Sequence, residues 1–198
     1  MKITKEMKEA LEETYMPLFN PFLPYRVLYL ATCDREGNPN ITVISFAKVI
    51  DNKIIIPDIA LLKSRLNIEE NPDISFIVAL YRNYQPVGGF GIRILHAITK
   101  RLISIDISLL GRIKLRILLT LYKIFKRFIP RAKYKISLRK EPKYFEFRGK
   151  AKIVRYGKTY ENMNKFMKIL FGKKFELNGI VEIEIEEIKE KKLSDHAS

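Results

Sequence analysis

The sequence predicts a mainly β fold with helices (α+β), organised as a six-stranded antiparallel barrel. Three observations carry that prediction. Short β-prone runs recur between clusters of Gly, Asn, Asp and Pro; the first runs are joined by turns too short to hold a crossover helix; and no Gly-rich dinucleotide loop follows any of them. Parallel pairing needs a connection of about a dozen residues or more, so hairpin-joined strands point to an antiparallel meander.

Each element has its own warrant. From Lys5 to Tyr15, Met7, Leu11 and Tyr15 stand four apart with glutamates between them, an amphipathic helix capped by Thr4 and ended by Pro17. Val27–Asp34 and Pro39–Phe46 are β-prone, and Arg35, Glu36, Gly37 and Asn38 turn one into the other. Asp51 and Asn52 turn the chain again into Lys53–Pro57, the third strand. Ala60–Glu70 changes to helical spacing and stops at Asn71 and Pro72. Asp73–Leu80 is almost wholly apolar, which marks a central fourth strand. The fifth begins at Lys143 (YFEFRGKAKIVRY), with Gly149 as a bulge or close-approach point. Tyr160–Phe171 is a helix with Met163, Phe166, Met167 and Leu170 on one face. In the sixth strand, Ile180–Ile188, Val181, Ile183 and Ile185 alternate with Glu182, Glu184 and Glu186, and KEKKLSDHAS follows as a solvated tail.

The 198 residues, 47% apolar and 11% aromatic, suffice for one domain over residues 1–198 with a real core. Disorder, collagen-like structure and a disulfide scaffold are excluded. The single Cys33 has no disulfide partner, is expected to serve core packing, and makes no metal-ligand spacing with His96 or His196; no metal is expected. No apolar run follows the N-terminal basic residue, and no stretch of about 20 apolar residues occurs, so the expected location is cytoplasmic, with peripheral membrane contact left open. The charge of +15 is uneven: Tyr81 to Lys143 holds 16 basic and 2 acidic residues, hence +14 against +1 for the rest.

The strongest local signal for chemistry is KSRLNIEENP, Lys63 to Pro72, directly after the third strand. A lysine and a hydroxyl in the first turn of a helix offer charge, a donor and free backbone amides to an anion such as phosphate. The competing reading is an ordinary surface helix with Lys63 and Arg65 solvated. Gly88, Gly89 and Gly91 are a weaker phosphate-loop signal and read equally as a joint into the basic segment.

The order of these elements resembles the FMN-binding split-barrel family related to pyridoxamine 5′-phosphate oxidase. The resemblance rests on LATCDREGNPNITVISF, then K-S-x-x-N-I-x-x-N-P, then DISFIVAL, and later FRGKAKI with its helix. It covers roughly Tyr25–Leu80 and Tyr144–Ile188 and leaves Tyr81–Lys143 unmatched. It implies FMN as cofactor, with the isoalloxazine edge along the backbone of Thr42, Val43, Ile44 and Ser45, the ribityl chain flanked by Ile56, Pro57 and Asp58, and the phosphate on Lys63 and Ser64. It also implies a homodimer with flavin between subunits. The chain lacks tryptophan and the C-terminal Arg and Trp pattern that the vitamin-B6 oxidases use, which disfavours pyridoxamine 5′-phosphate as substrate. No catalytic acid can be nominated. The implied activity is a flavin-dependent oxidoreductase or flavin reductase of unassigned substrate; the alternative is a non-enzymatic flavin-binding protein attached to the membrane surface through its basic insertion.

That insertion, at about 84–140, reads as one or two basic amphipathic helices, broken near Gly111 and stopped by Pro130, with Leu118, Leu121, Phe125 and Phe128 set against Arg116, Lys123, Lys126 and Arg127. Three roles compete: a cap packed on the barrel or across the dimer, an interfacial helix on anionic lipid, and a basic wall that recruits an anionic redox partner such as a nicotinamide or deazaflavin cofactor. Nucleic acid is disfavoured, since no recognised binding module accompanies the charge.

Overall fold

The computed structural model describes residues 2–12, 28–87, 89–125 and 133–192. In chain order its elements are α1 (Lys5–Glu12), β1 (Leu28–Cys33), β2 (Pro39–Ile44), β3 (Lys48–Ile50), β4 (Lys53–Pro57), α2 (Leu62–Glu70), β5 (Asp73–Val87), α3 (Phe90–Ser104), α4 (Leu109–Phe125), β6 (Lys133–Val154), α5 (Lys158–Phe171) and β7 (Ile180–Lys192). The strands form one antiparallel sheet in the order β2-β1-β5-β6-β7-β4-β3. The α+β class holds, but there are seven strands rather than six, and the sheet is not closed.

The additional strand is β3, three residues that read as a connection in sequence. Asp51 and Asn52 adopt φ of 49° and 61°, the left-handed pair of a tight hairpin turn, and fold β3 onto β4. Strands at opposite ends of the sheet nevertheless share one core: Ile44 of β2 and Ile54 and Ile56 of β4 pack with Leu28, Leu30, Phe76, Phe147 and Ile183. Ile55, pointing the other way, joins a second core with Phe46, Met163, Phe166, Met167 and Ile180. This explains why KIIIP is apolar without alternation: β4 is buried on both faces. β7 sits between β6 and β4, with Ile183 opposite both Ile54 and Ala151.

Gly149 is a close-approach point, as its sequence context predicts. The β6–β7 register shifts between Arg148 and Gly149, and a Cβ at Gly149 would stand 2.1 Å from the Glu184 carbonyl oxygen. β5 and β6 run beyond their predicted limits at Leu80 and Lys143 and stay paired out to Val87 opposite Lys133. One side of the ribbon does carry a strand signal, Tyr134, Ile136 and Leu138 alternating with Lys133, Lys135, Ser137 and Arg139, but it is masked where the whole basic segment is read as helical. β7 likewise continues to Lys192, four residues into the predicted tail, where Lys143 Nζ meets Glu190 Oε1 at 2.8 Å.

Between the ribbon strands, α3 and α4 turn inner faces to the second core through Ile98, Leu102 and Leu115. Their break falls at Ile105–Ser108 rather than Gly111. Ser108 caps α4, its Oγ accepting the Gly111 N–H at 3.1 Å, and Asp106 Oδ1 accepts the Ser108 N–H at 2.8 Å. Gly111 is needed for proximity instead: a Cβ there would lie 2.1 Å from the Asp106 carbonyl oxygen. Leu118 and Phe125 pack against the second core while Leu121 is exposed, so the predicted single face divides. Phe128, Lys126, Arg127 and Pro130 lie outside the described residues, as do Tyr15, Pro17, Tyr25, Val27 and His196. Thr4 caps α1 as predicted, Oγ1 accepting the Met7 N–H at 3.3 Å. Cys33 is only half-buried and its sulfur accepts from Asn71 Nδ2 at 3.0 Å, so it is less a core residue than a fastener at the strand end.

Candidate functional site

β2 lies at the end of the sheet and pairs with β1, and no second neighbour flanks it among the described residues. One edge of its backbone therefore keeps donors and acceptors available. Strand alternation divides the residues predicted along it. Ile44 is buried and Thr42 half-buried on the inner face, whereas Val43 and, just past the strand, Ser45 are exposed. Val43 stands opposite Tyr29, which stands opposite Ile77. With Ile41 they form an outward apolar platform, each residue 44% to 68% exposed.

Ile56 and Pro57 end β4 and are buried. Asp58, 1% exposed, donates its N–H to the Gly179 carbonyl at 2.9 Å. Its carboxylate accepts the Leu61 N–H at 3.2 Å and Arg65 Nη1 at 3.1 Å. Asp58 thus ties the end of β4 to the start of α2, while Ile56 and Pro57 are buried against β7 and the Pro57 carbonyl accepts the Ile59 N–H at 3.0 Å. Arg65, the second base of the motif, is committed to that carboxylate.

Lys63 and Ser64 occupy the first turn of α2 and face different ways. Ser64 is fully buried; its Oγ lies 2.6 Å from Thr42 Oγ1 and accepts from Asn40 Nδ2 at 2.8 Å. Asn40 Nδ2 also reaches Thr42 Oγ1 at 3.2 Å. The structure therefore joins two predicted residues, Thr42 and Ser64, through a third that sequence reasoning missed. The signal was there: Asn40 and Thr42 are polar at inward positions of an otherwise apolar strand, which requires a polar partner. Lys63 is exposed and lines a cleft of about 470 Å³ with Leu62, Leu66, Asp34 and Glu70. Asp34 is bound into the β1–β2 turn, where hydrogen bonds from Asn38 hold its carboxyl below the usual range, with a smaller contribution from the charge of Lys63. Leu62 takes φ of 30°, a left-handed conformation uncommon for leucine and a local strain at the lip of this cleft.

An exposed lysine at a helix start offers charge to a phosphate and the open edge of β2 offers backbone groups to a polar ring edge, while the apolar platform lies on the face of β2 turned away from α2. Lys63 and the β2 edge are donors of the kind that an FMN phosphate and ring edge would need.

The model of the family described as pyridoxamine 5′-phosphate oxidase matches residues 3–192. The match runs through the basic segment that the resemblance in sequence left out. Two crystal structures of HupZ from Group A Streptococcus align with TM-scores of 0.52 and 0.51, each at 18% identity and covering 96% of this chain and 99% and 94% of theirs. An FMN-binding protein from Syntrophomonas wolfei subsp. wolfei aligns at 17% identity with a TM-score of 0.48, covering 94% of this chain and 89% of that one. At such identities the likeness is one of fold alone. No curated protein matches the sequence.

Proposed function

The chain belongs to the pyridoxamine 5′-phosphate oxidase family, and from that membership we propose that it binds FMN and acts as a flavin-dependent oxidoreductase or flavin reductase on a substrate other than pyridoxamine 5′-phosphate. The observation that carries this reading is the α2–β2 junction, where exposed Lys63 stands one residue from a buried hydroxyl network that locks the helix start to the open edge strand. Lys63 supplies charge to the phosphate, joined by the N–H groups of Leu62 and Lys63, since those of Ser64 and Arg65 already donate to the Leu61 carbonyl. Ser64, through Thr42 and Asn40, sets the distance between that end and β2. The free edge of Thr42–Ser45 takes the polar rim of the ring, and the backbone of Ile56–Asp58 flanks the ribityl chain. When bound, FMN supplies hydride or electron transfer. A second copy of the chain covers the platform of Ile41, Val43, Tyr29 and Ile77, giving a homodimer. The absence of tryptophan separates the chain from the vitamin-B6 oxidases.

The test is titration of the purified protein with FMN, followed by its visible spectrum, in the parent and in Lys63→Ala. Saturable binding weakened about tenfold or more by the substitution is expected. Equal affinity in the two proteins, or no binding, refutes the assignment. Anaerobic reduction of the complex by nicotinamide or deazaflavin donors then separates an enzyme from a binding-only protein.

A further inference from the structure

α4 is apolar on two opposite sides. Leu115 is buried, with Leu118, Leu119 and Tyr122 partly buried, in the second core. Leu109, Leu110, Ile113, Ile117, Leu121 and Ile124 face away from it, each 38% to 68% exposed. At a helical pitch of 100° per residue these six fall within about a third of the circumference and run the length of the helix. A helix with two apolar stripes ordinarily buries both, yet here the outer one meets solvent.

The borders of the stripe are basic. Arg116 and Lys123 lie along one side and Lys114 along the other. Beyond Arg116 and Lys123, a groove of about 860 Å³ between α4 and α5 brings in Lys165, Lys168 and Lys173. No carboxylate lines this groove, and neither α3 nor α4 contains one. Lys165 and Lys168 pair with Glu161 and Glu176 at 3.9 and 3.3 Å, and Asp106 lies near Lys114, so Arg116, Lys123 and Lys173 carry the net positive charge of this face. We propose that the outer face of α4 is an in-plane docking surface for an anionic lipid bilayer: the stripe enters the acyl boundary while the flanking cations meet the headgroups. Charge decides against a second copy of this chain as the occupant. Two α4 stripes placed together would bring Arg116, Lys123 and Lys114 of both copies close, and Asp106 beside Lys114 offsets only part of that repulsion. The helix lies on the membrane rather than across it, since among the described residues no helix is long and apolar enough to span one.

The test uses the full chain and vesicles of phosphatidylcholine alone or with phosphatidylglycerol in roughly a 2:1 ratio. Because the sequence has no tryptophan, Ile117→Trp is a unique reporter. Expected results are co-sedimentation with anionic vesicles only, a blue shift of the Trp emission on binding, and a loss of affinity of about fivefold for each cation removed in Arg116→Gln and Lys123→Gln. The Ile113→Glu/Ile117→Glu pair, both at exposed positions, abolishes binding while leaving the thermal transition in place. Absence of binding, or equal binding to both vesicle types, overturns the proposal. So does a blue shift that grows with protein concentration without lipid, which assigns the face to self-association. Binding that survives the two glutamates and follows charge alone also overturns it, since it marks a soluble polyanion site.

Discussion

Ser64 Oγ in the first turn of α2 lies 2.6 Å from Thr42 Oγ1 on β2, and both take part in contacts with the Asn40 amide. Removing the buried hydroxyl in Ser64→Ala is expected to cost about 1–2 kcal/mol in chemical denaturation. Combined with Thr42→Val the losses add to less than their sum, because the two side chains share one network. Strict additivity would show that the hydroxyls act independently.

Arg65 and Lys63 separate stability from binding. Arg65→Ala takes from the Asp58 carboxylate, 1% exposed, its charged partner and leaves it the Leu61 N–H among the described residues, and is expected to destabilise by about 2–4 kcal/mol. Lys63→Ala, at an exposed position, is expected to stay within about 0.5 kcal/mol of the parent. If both variants unfold at the same denaturant concentration as the parent, the Asp58–Arg65 clamp is not a structural element.

Gly149→Ala pushes a methyl group into the Glu184 carbonyl, so β6 and β7 must separate at their bulge. A loss of about 3 kcal/mol or more is expected by thermal or chemical unfolding. Gly37→Ala is the contrasting control: nothing lies within 4 Å of its Cβ position, and only its φ of 85° opposes the substitution. Comparable losses at the two sites would count against the close approach.

Lys48 is 2% exposed, with Nζ 3.7 Å from Glu12 Oε2, and burial pushes its ammonium down to about 8 despite the opposing attraction of Glu12. Between pH 8 and 10.5 the unfolded chain holds a proton at this site that the folded chain has released, so stability rises with pH across that window. The contribution is on the order of 3 kcal/mol, and the full burial cost applies below pH 8. Lys53, Lys143 and Lys150, held up by carboxylate hydrogen bonds, work in the opposite sense and lose their stabilisation only as pH rises through their raised values. Unfolding free energies of the parent and of Glu12→Gln/Lys48→Met, compared from pH 8 to 10, isolate the effect; parallel profiles would exclude it.

Sequence patterning reveals those parts of the fold whose signal is local. Thr4 caps its helix, Gly149 marks its bulge, and Met163, Phe166 and Met167 form the buried face of α5 because spacing alone encodes these features. Elements defined by distant partners are hidden. β3 is a strand only because β4 folds back on it, and the outer ribbon of β5 holds its extended form by pairing with β6, Tyr84 opposite Ile136 and Arg82 opposite Leu138. In the candidate site, Lys63 and Ser64 are legible as a pair, but their division into an exposed charge and a buried hydroxyl depends on Asn40 and Thr42 arriving from another element. The outer stripe of α4 is similarly concealed: Leu118 and Leu121 look equivalent in sequence and fall on different sides of the helix.

The position of β7 between β6 and β4 has a consequence for synthesis. Lys53 on β4 meets Glu182 on β7 across 129 residues of sequence. While a ribosome makes the intervening chain, the β3–β4 hairpin waits with its β7 edge unpaired and with Ile55 short of Met163, Phe166, Met167 and Ile180, although Ile54 and Ile56 already have early core neighbours such as Leu28 and Leu30. Such late closure slows folding and leaves nascent chains open to aggregation or holdase capture. Nascent chains arrested before residue 180 should therefore be cut by protease within 53–57, and those carrying β7 clear of the exit tunnel should resist; equal cleavage would show that the hairpin finds cover earlier.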